Sequence, residues 1–176
     1  MSLLPIAYDI ALRAHAGQSD KLGVPYIKHV EAVAEGLAPF GNDELTAAGW
    51  LHDTLEDSDM TADGLLDVGL TQNVVDMVVQ VTNRRGVAYL DKIESIGHPG
   101  AILVKIADNA HNSRIDRLSR LDEDTYVRLS EKYRAARKIL WPKAGKDAVG
   151  KIIRIVNPDL EHTVTCDNCW NRLECG

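Results

Sequence analysis

Residues 99–112 read PGAILVKIADNAHN, and they decide the fold class predicted for this chain. The apolar run AILVKIA suits either a buried β-strand or a buried helix. A helix is favoured because Pro99 fits the first helical position and the pattern continues to His111 without a break. Asp108 is the unusual residue here, since a carboxylate in a core segment is costly unless it is paired or bound to a metal.

The rest of the chain also follows the helical period, and no segment shows a convincing strand alternation. The clearest amphipathic pattern covers residues 123–141, where apolar and aromatic side chains recur at intervals of three or four. Further helices are predicted over residues 3–15, 28–38, 43–51, 71–81 and 145–156, with a short one after Thr61. The sequence therefore predicts an all-α fold, a bundle of seven to nine helices, with one domain over residues 1–157 and a Cys-containing tail over 158–176.

The composition is that of a soluble globular protein, because 45% of the 176 residues are apolar and 26% are charged. No apolar run approaches the ~20 residues that a transmembrane helix needs. The first ten residues, MSLLPIAYDI, lack the basic start and long apolar stretch of a signal peptide. We therefore expect a cytoplasmic protein with no membrane partner.

Charge is distributed unevenly along the chain. The net charge of −6 argues against a nucleic-acid partner, since such binding depends on neutralising phosphates. Residues 113–154 nevertheless carry twelve Lys or Arg against six Asp or Glu, whereas residues 53–67 carry six acids and no base. A metal held by the acids and a phosphorylated substrate held by the bases would use both segments, although two solvated surfaces are the simpler explanation.

Four side chains from separate segments are candidate metal ligands: His29, His52, Asp53 and Asp108. Two imidazoles and two carboxylates suit a divalent first-row ion such as Mn²⁺ or Fe²⁺ and leave positions for water and a phosphate. The adjacent His52 and Asp53 can both reach one ion where a helix ends and the chain turns. Taken singly, each residue has a simpler structural explanation, such as pairing of Asp108 with Lys105 or Arg114. Only their combination predicts a metal site.

A second pair of carboxylates follows in the string HDTLED (52–57). Glu56 lies four residues after His52, and Asp57 lies four after Asp53, so helical geometry places them beside the candidate ligands. Like charges this close are costly unless a cation and the chemistry use them. One carboxylate could then orient or deprotonate an attacking water while the other protonates the leaving group, although an acidic surface turn is the simpler alternative.

These motifs, in this order and spacing, resemble the HD-domain phosphohydrolases, and in particular the hydrolase domain of the RelA/SpoT alarmone enzymes in its stand-alone, small alarmone hydrolase form. The matching stretches are HAGQ (15–18), KLGVPYIKH (21–29), HDTLED (52–57), VT (81–82) and KIADNAHNSR (105–114). The resemblance covers residues 3–142, and we expect no synthetase domain like that of the long bifunctional members.

The resemblance implies an enzyme with one Mn²⁺ bound by His29, His52, Asp53 and Asp108. It implies hydrolysis of the 3′-pyrophosphate of guanosine 3′,5′-bispyrophosphate and its pentaphosphate, the (p)ppGpp alarmones of the stringent response, to give pyrophosphate and GDP or GTP. By the same resemblance Glu56 and Asp57 act on the water, and the substrate contacts are Lys21, Asn112 and Tyr133. Tyr133 also lies on the apolar stripe of its helix, which suits a core residue equally well.

Several positions depart from the pattern of the family. Asp20 stands where an Arg is expected before Lys21, and Val30, Asn83 and Asn109 replace a Pro, a Lys and an Arg. The metal and water positions are therefore intact, whereas the substrate-recognition positions differ. A phosphohydrolase acting on another nucleotide (an adenosine alarmone, NADPH or a 5′-nucleotide) is the alternative. A non-catalytic nucleotide-binding protein is a third.

All three cysteines lie in the tail: Cys166, Cys169 and Cys175. With His162 they could hold a zinc ion, although the spacing is unlike that of the usual zinc fingers. The alternative is a reduced tail that Trp170 packs onto the bundle.

Overall fold

The computed structural model describes residues 3–166 and Trp170, and this part of the chain is helical, with no β-strand. The elements are α1 (Leu3–Ala14), α2 (Ile27–Leu37), α3 (Asp43–Leu51), α4 (Thr54–Asp57), α5 (Ala62–Asp67), α6 (Gln72–Val81), α7 (Tyr89–Ser95), α8 (Pro99–Asn112), α9 (Ile115–Leu118), α10 (Glu123–Ala144), α11 (Lys146–Val156) and α12 (Glu161–Thr165), with 3-10 turns at Ala38–Phe40 and Pro158–Leu160. The all-α prediction is confirmed.

The decisive segment, α8, is a helix as predicted and lies at the centre of the bundle. His98 caps it by accepting hydrogen bonds from the backbone N–H groups of Gly100 and Ala101. The helix contacts α2, α3, α6, α10 and α11, and ten of its residues are buried. A helix enclosed on all sides has apolar residues around its whole circumference, which explains why its sequence is equally typical of a strand.

The close packing of α2 against α3 brings the first candidate ligands together. A Cβ atom added at Gly49 of α3 would lie 3.0 Å from Ala34 Cα and 2.8 Å from a Leu37 methyl group, so only glycine fits at this crossing. Gly49 also supplies the carbonyl that His52 Nδ1 contacts at 2.9 Å. The glycine therefore sets both the helix spacing and the position of the imidazole.

We expect Gly49→Ala to lower the melting temperature by roughly 3–10 °C, because overpacking costs about 1–3 kcal/mol. The movement of α3 that relieves the overpacking would also displace His52 and weaken binding of a divalent metal. Thermal unfolding and a Mn²⁺ titration measure the two effects. Gly97→Ala is the matched control, since a Cβ there meets nothing within 4 Å. An unchanged melting temperature in Gly49→Ala would contradict the packing argument.

Four short helices in the described part of the chain were not predicted, namely α4, α7, α9 and α12, and α10 ends later than predicted. The seven-residue α7 is anchored by buried Ile93 and by Lys143 Nζ, which donates to the carbonyls of Glu94 and Ile96. The long helix α10 continues past residue 141 to Ala144. Pro142 lies in the last turn, where it removes one backbone hydrogen bond, and Gly145 N–H donates to Trp141 O at 3.0 Å to close the helix.

The described part of the tail packs on the bundle: Leu160 and Val164 are buried in the hydrophobic core, and Arg154 Nε lies 3.0 Å from Glu161 Oε1. The ring of Trp170 stacks on Trp141 of α10, with centroids 5.8 Å apart and an interplanar angle of 18°. This is the packing that the sequence offered as the alternative to zinc. The zinc hypothesis depends on Cys169 and Cys175, which lie outside the described residues, while Cys166 is exposed. Among the described helices, none is both long and apolar enough to cross a membrane.

Candidate metal centre

Three of the predicted ligands converge on one point. Donor atoms of His29, His52 and Asp53 all lie within 4.8 Å of one another. His52 Nε2 is 2.9 Å from Asp53 Oδ2 and 3.2 Å from His29 Nε2. Ligands about 2.1 Å from an octahedral ion lie about 3 Å apart, so these separations suit a shared cation.

Local chain geometry explains how adjacent residues reach the same point. His52 is the C-cap of α3, and Asp53 is the N-cap of the short α4, so the chain turns between them. His29 lies in the first turn of α2, which packs against α3. The expected turn at the end of the third helix is therefore present, and it directs both side chains toward His29.

Hydrogen bonds behind the two imidazoles leave their Nε2 atoms facing each other. His52 Nδ1 donates to Gly49 O, and His29 Nδ1 lies 2.7 Å from His111 Nδ1. Burial and His29 lower the pKa of His111 to about 3, so His111 is neutral and can accept the proton of His29 Nδ1. This arrangement leaves the Nε2 lone pairs for a cation, as in many histidine metal sites.

Asp108 lies beside this cluster, and its two carboxylate oxygens also contact side chains outside it. Its Oδ1 atom is 3.3 Å from His29 Nε2, and Asn112 Nδ2 donates to the same oxygen. Its Oδ2 atom forms an ion pair of 2.8 Å with Lys105 Nζ. Both partners are buried, which opposes their charges, yet each stabilises the other: the pKa of Asp108 is lowered and that of Lys105 is raised.

The electrostatics of the cluster favour a bound positive charge. Burial alone would lower the pKa of His52, but Asp53 and Asp108 outweigh it and raise the pKa to about 9. Likewise, burial opposes ionisation of Asp53, yet His52 and His29 hold the pKa of this carboxyl well below its usual range. The buried carboxylates thus attract a cation, and a donor set of nitrogen and oxygen atoms suits a divalent first-row metal.

Glu56 and Asp57 line the same pocket as Asp53 and Asp108. Glu56 is fixed by Asn83, whose backbone N–H and side-chain Nδ2 donate to its two oxygens at 2.6 and 2.9 Å. Asp57 is less engaged, with its Oδ2 atom 3.9 Å from His15 Nδ1. Burial and the charge of Asp53 raise the pKa of Asp57, which favours proton transfer to this carboxylate.

Two adjoining pockets open from the cluster. The first, of about 160 Å³, contains the four carboxylates together with Lys105 and Lys132. The second, of about 270 Å³, is lined by Lys21 and by apolar side chains such as Leu22 and Leu121. Three residues line both pockets: Tyr26, Asn112 and Tyr133. The predicted substrate contacts Lys21, Asn112 and Tyr133 therefore line these two adjoining pockets beside the cluster.

Asp20, which stands where the family is expected to carry an Arg, pairs with an arginine from another part of the chain. The Asp20 carboxylate is 7% exposed and accepts hydrogen bonds from the backbone N–H groups of Leu22 and Val24. Its Oδ2 atom also lies 3.0 Å from Arg117 Nη2, on α9. Arg117 lines the pocket, so a guanidinium is present there although it comes from a different part of the chain.

Sequence reasoning missed several residues around the cavity. Tyr26 donates to Asp53 Oδ2 at 2.6 Å, and His111 supports His29. Both lie inside stretches that carried the family resemblance, which is a signal that could have pointed to them. Lys132 and Arg117 carried no such signal, because their places depend on how α10 and α9 pack.

An all-α bundle in which a histidine of one helix meets a His-Asp step at the end of another defines an HD-type metal-binding domain. The chain belongs to the HD domain family, whose model matches residues 7–148. A solved structure described as a metazoan ortholog of SpoT that hydrolyses ppGpp has the same fold, with a TM-score of 0.66 and 18% sequence identity over 88% of this chain and 95% of that one.

Similar sequences occur in bacterial alarmone enzymes. The GTP pyrophosphokinase of Streptomyces coelicolor is 37% identical over 125 residues, which cover 61% of this chain and 14% of that protein. The bifunctional (p)ppGpp synthase/hydrolase RelA of Mycobacterium tuberculosis is 35% identical over 126 residues (65% and 17%). The GTP pyrophosphokinase rsh of Brucella ovis is 32% identical over 188 residues (93% and 24%). The chain thus spans a quarter or less of the length of these relatives.

Proposed function

We propose that this chain is a Mn²⁺-dependent phosphohydrolase that removes the 3′-pyrophosphate from guanosine 3′,5′-bispyrophosphate or pentaphosphate, giving pyrophosphate and GDP or GTP. The observation that carries the proposal is the convergence of His29 Nε2, His52 Nε2 and Asp53 Oδ2 beside a pocket of paired acids and lysines. The names of the bacterial relatives support the choice of substrate. We assign the activity to residues 1–157, with residues 158–176 as an appended tail.

His29, His52, Asp53 and Asp108 would hold the metal. A Mn²⁺ ion bound there would polarise a phosphoryl oxygen and would lower the pKa of a water molecule. Glu56, kept in place by Asn83, orients that water, and Asp57 accepts its proton. The raised pKa of Asp57 suits this second role, since a general base works best with a pKa closer to neutral pH.

Two lysines in the first pocket are suited to the pyrophosphate group. Lys132 Nζ lies over the Tyr89 ring, 4.0 Å from its centroid, and burial and Lys105 lower the pKa of Lys132. Cations that repel each other in this way gain stability when a polyanion enters between them. Tyr133 and Asn112, on the boundary of the two pockets, then contact the phosphates and the sugar.

The second pocket would take the nucleobase. Arg117, held by Asp20, presents a guanidinium to it, and a planar guanidinium stacks well on a purine. Lys21 lines the same pocket. Hydrolysis of a different nucleotide is the second candidate function, and the observation that favours it is Asp20 itself, which stands where the related enzymes are expected to carry Arg.

The experiment that tests the proposal measures pyrophosphate release from guanosine 3′,5′-bispyrophosphate with added Mn²⁺. We expect release that depends on the metal and is lost on chelation. Parallel assays with the adenosine alarmone, NADPH and 5′-nucleotides distinguish the two candidates. Turnover of one of these with none of the guanosine alarmone would replace the first candidate by the second.

Replacement of Arg117 tests the base pocket. We expect Arg117→Gln to raise KM about tenfold with kcat changed less than twofold, because base stacking contributes about 1–3 kcal/mol. Steady-state kinetics separate the two constants. Arg120→Gln, which removes an exposed arginine just beyond α9, is the matched control and should change neither. If KM is the same in Arg117→Gln and in the wild type, Arg117 does not contact the substrate.

A further inference from the structure

A separate pocket of about 330 Å³ lies between α9, α10 and the turn at Pro158–Leu160. Of its described lining residues, only Leu118 is shared with the candidate base pocket. Four polar side chains from α10 line it, at positions that recur at intervals of four, four and three: Tyr126, Ser130, Arg134 and Arg137. This spacing places all four on one face of the helix. The metal-centre residues play no part in this pocket.

Arg137 is the unusual group of this pocket. It is 9% exposed, its guanidinium carbon lies 5.9 Å from the centroid of the Trp141 ring, and no carboxylate forms an ion pair with it among the residues that the structure describes. A guanidinium has five N–H donors, whereas Nη1 of Arg137 makes one hydrogen bond, of 3.4 Å, to Ser113 Oγ. Burying a charge is costly unless it is paired and hydrogen-bonded, so this position has unmet demand for an acceptor.

The environment of Arg137 also favours an anionic acceptor. Burial and the neighbouring charge of Arg134, one turn earlier on α10, lower the pKa of Arg137 to about 10. The guanidinium of Arg137 therefore remains charged at neutral pH. Asp159 also lines the pocket, but its side chain is exposed and it does not pair with Arg137. An anion bound inside would offset the cost of burying Arg137 and would accept its remaining donors.

We propose that this pocket is a second anion site, which binds a phosphate group through Arg137 and the hydroxyl group of Ser130, next to Ser113, whose own hydroxyl donates to Ala110 O. A planar guanidinium matches two oxygens of a phosphate, and a hydroxyl can donate to a third. The pocket is large enough for a phosphate with part of a small organic group attached. The site is distinct from the proposed catalytic centre and does not depend on the proposed reaction.

The test uses inorganic phosphate and the full-length, metal-free protein, with NMR signals from the side chain of Arg137 and the backbones of Ser113 and Ser130. We expect saturable shifts of these signals in the wild type. In Arg137→Gln, binding at Ser113 and Ser130 should weaken at least tenfold, whereas Lys132→Gln, in the catalytic pocket, should leave it unchanged. Absence of saturable shifts, or shifts of Ser113 and Ser130 that persist in Arg137→Gln, would overturn the proposal.

A second variant keeps the test valid if Arg137→Gln does not fold. Ser130→Glu places a carboxylate inside the pocket, where it would act as a built-in anion. We expect it to raise the melting temperature by about 2–4 °C and to abolish the phosphate-induced shifts. Val127→Glu, which adds the same charge at an exposed position of α10, should have neither effect. A lower melting temperature in Ser130→Glu with phosphate binding retained would refute the anion site.

Discussion

Asp53→Asn is expected to abolish tight Mn²⁺ binding and to lower pyrophosphate release about a thousandfold, corresponding to ~4 kcal/mol of transition-state stabilisation. Asp53 Oδ2 lies 2.9 Å from His52 Nε2, and Tyr26 donates to it at 2.6 Å. An asparagine would keep the size of the side chain but remove the charge on which both the metal and the two imidazoles depend. Metal titration and the release assay measure the two effects independently.

Asp59→Asn is the control for this prediction. Asp59 is an exposed acid in the same acidic segment, six residues away, so its removal changes the local charge without touching the cluster. We expect it to leave both metal affinity and turnover within twofold of the wild type. The assignment of Asp53 as a ligand fails if Asp53→Asn binds Mn²⁺ as tightly as Asp59→Asn does.

Asp57→Asn is expected to lower kcat by about 10²–10⁴-fold while Mn²⁺ affinity changes only a fewfold, because general acid–base catalysis contributes rate enhancements of this size. The carboxylate lines the pocket beside Asp53, and Gln18 Nε2 donates to its backbone carbonyl, so the side chain can change without moving the backbone. Glu56→Gln should also lower kcat, since the bidentate contact with Asn83 requires two acceptor oxygens.

The comparison of metal affinity with kcat decides between two roles for Asp57. Loss of Mn²⁺ binding in parallel with kcat would mean that Asp57 supports the metal shell and does not accept the proton. Asp63→Asn, a change to another acid of the same segment outside the pocket, provides the baseline. If kcat is the same in Asp57→Asn and in Asp63→Asn, Asp57 takes no part in catalysis.

Much of the fold could be predicted from the sequence because it depends on local relations. Pro99 at a first helical turn, Asn42 and Thr61 as N-caps, and the apolar spacing of α10 all act within four residues along the chain. The segment α7 escaped prediction because its seven residues carry too weak a pattern. Its helix is stabilised from a distance, by Lys143 of α10.

The sequence by itself determined the helical class, the order of the candidate ligands and the turn that lets His52 and Asp53 face the same point. Only the tertiary structure decided which groups support them. His111 lies 82 residues after the His29 that it orients, and the guanidinium at the base pocket comes from Arg117 although the departure from the family lies at Asp20. Hydrophobic periodicity specifies which face of a helix is buried, but not which distant side chain meets it, because that depends on the crossing of whole helices. Gly49 is another example, because the requirement for glycine at this position is seen only when α2 is packed against α3.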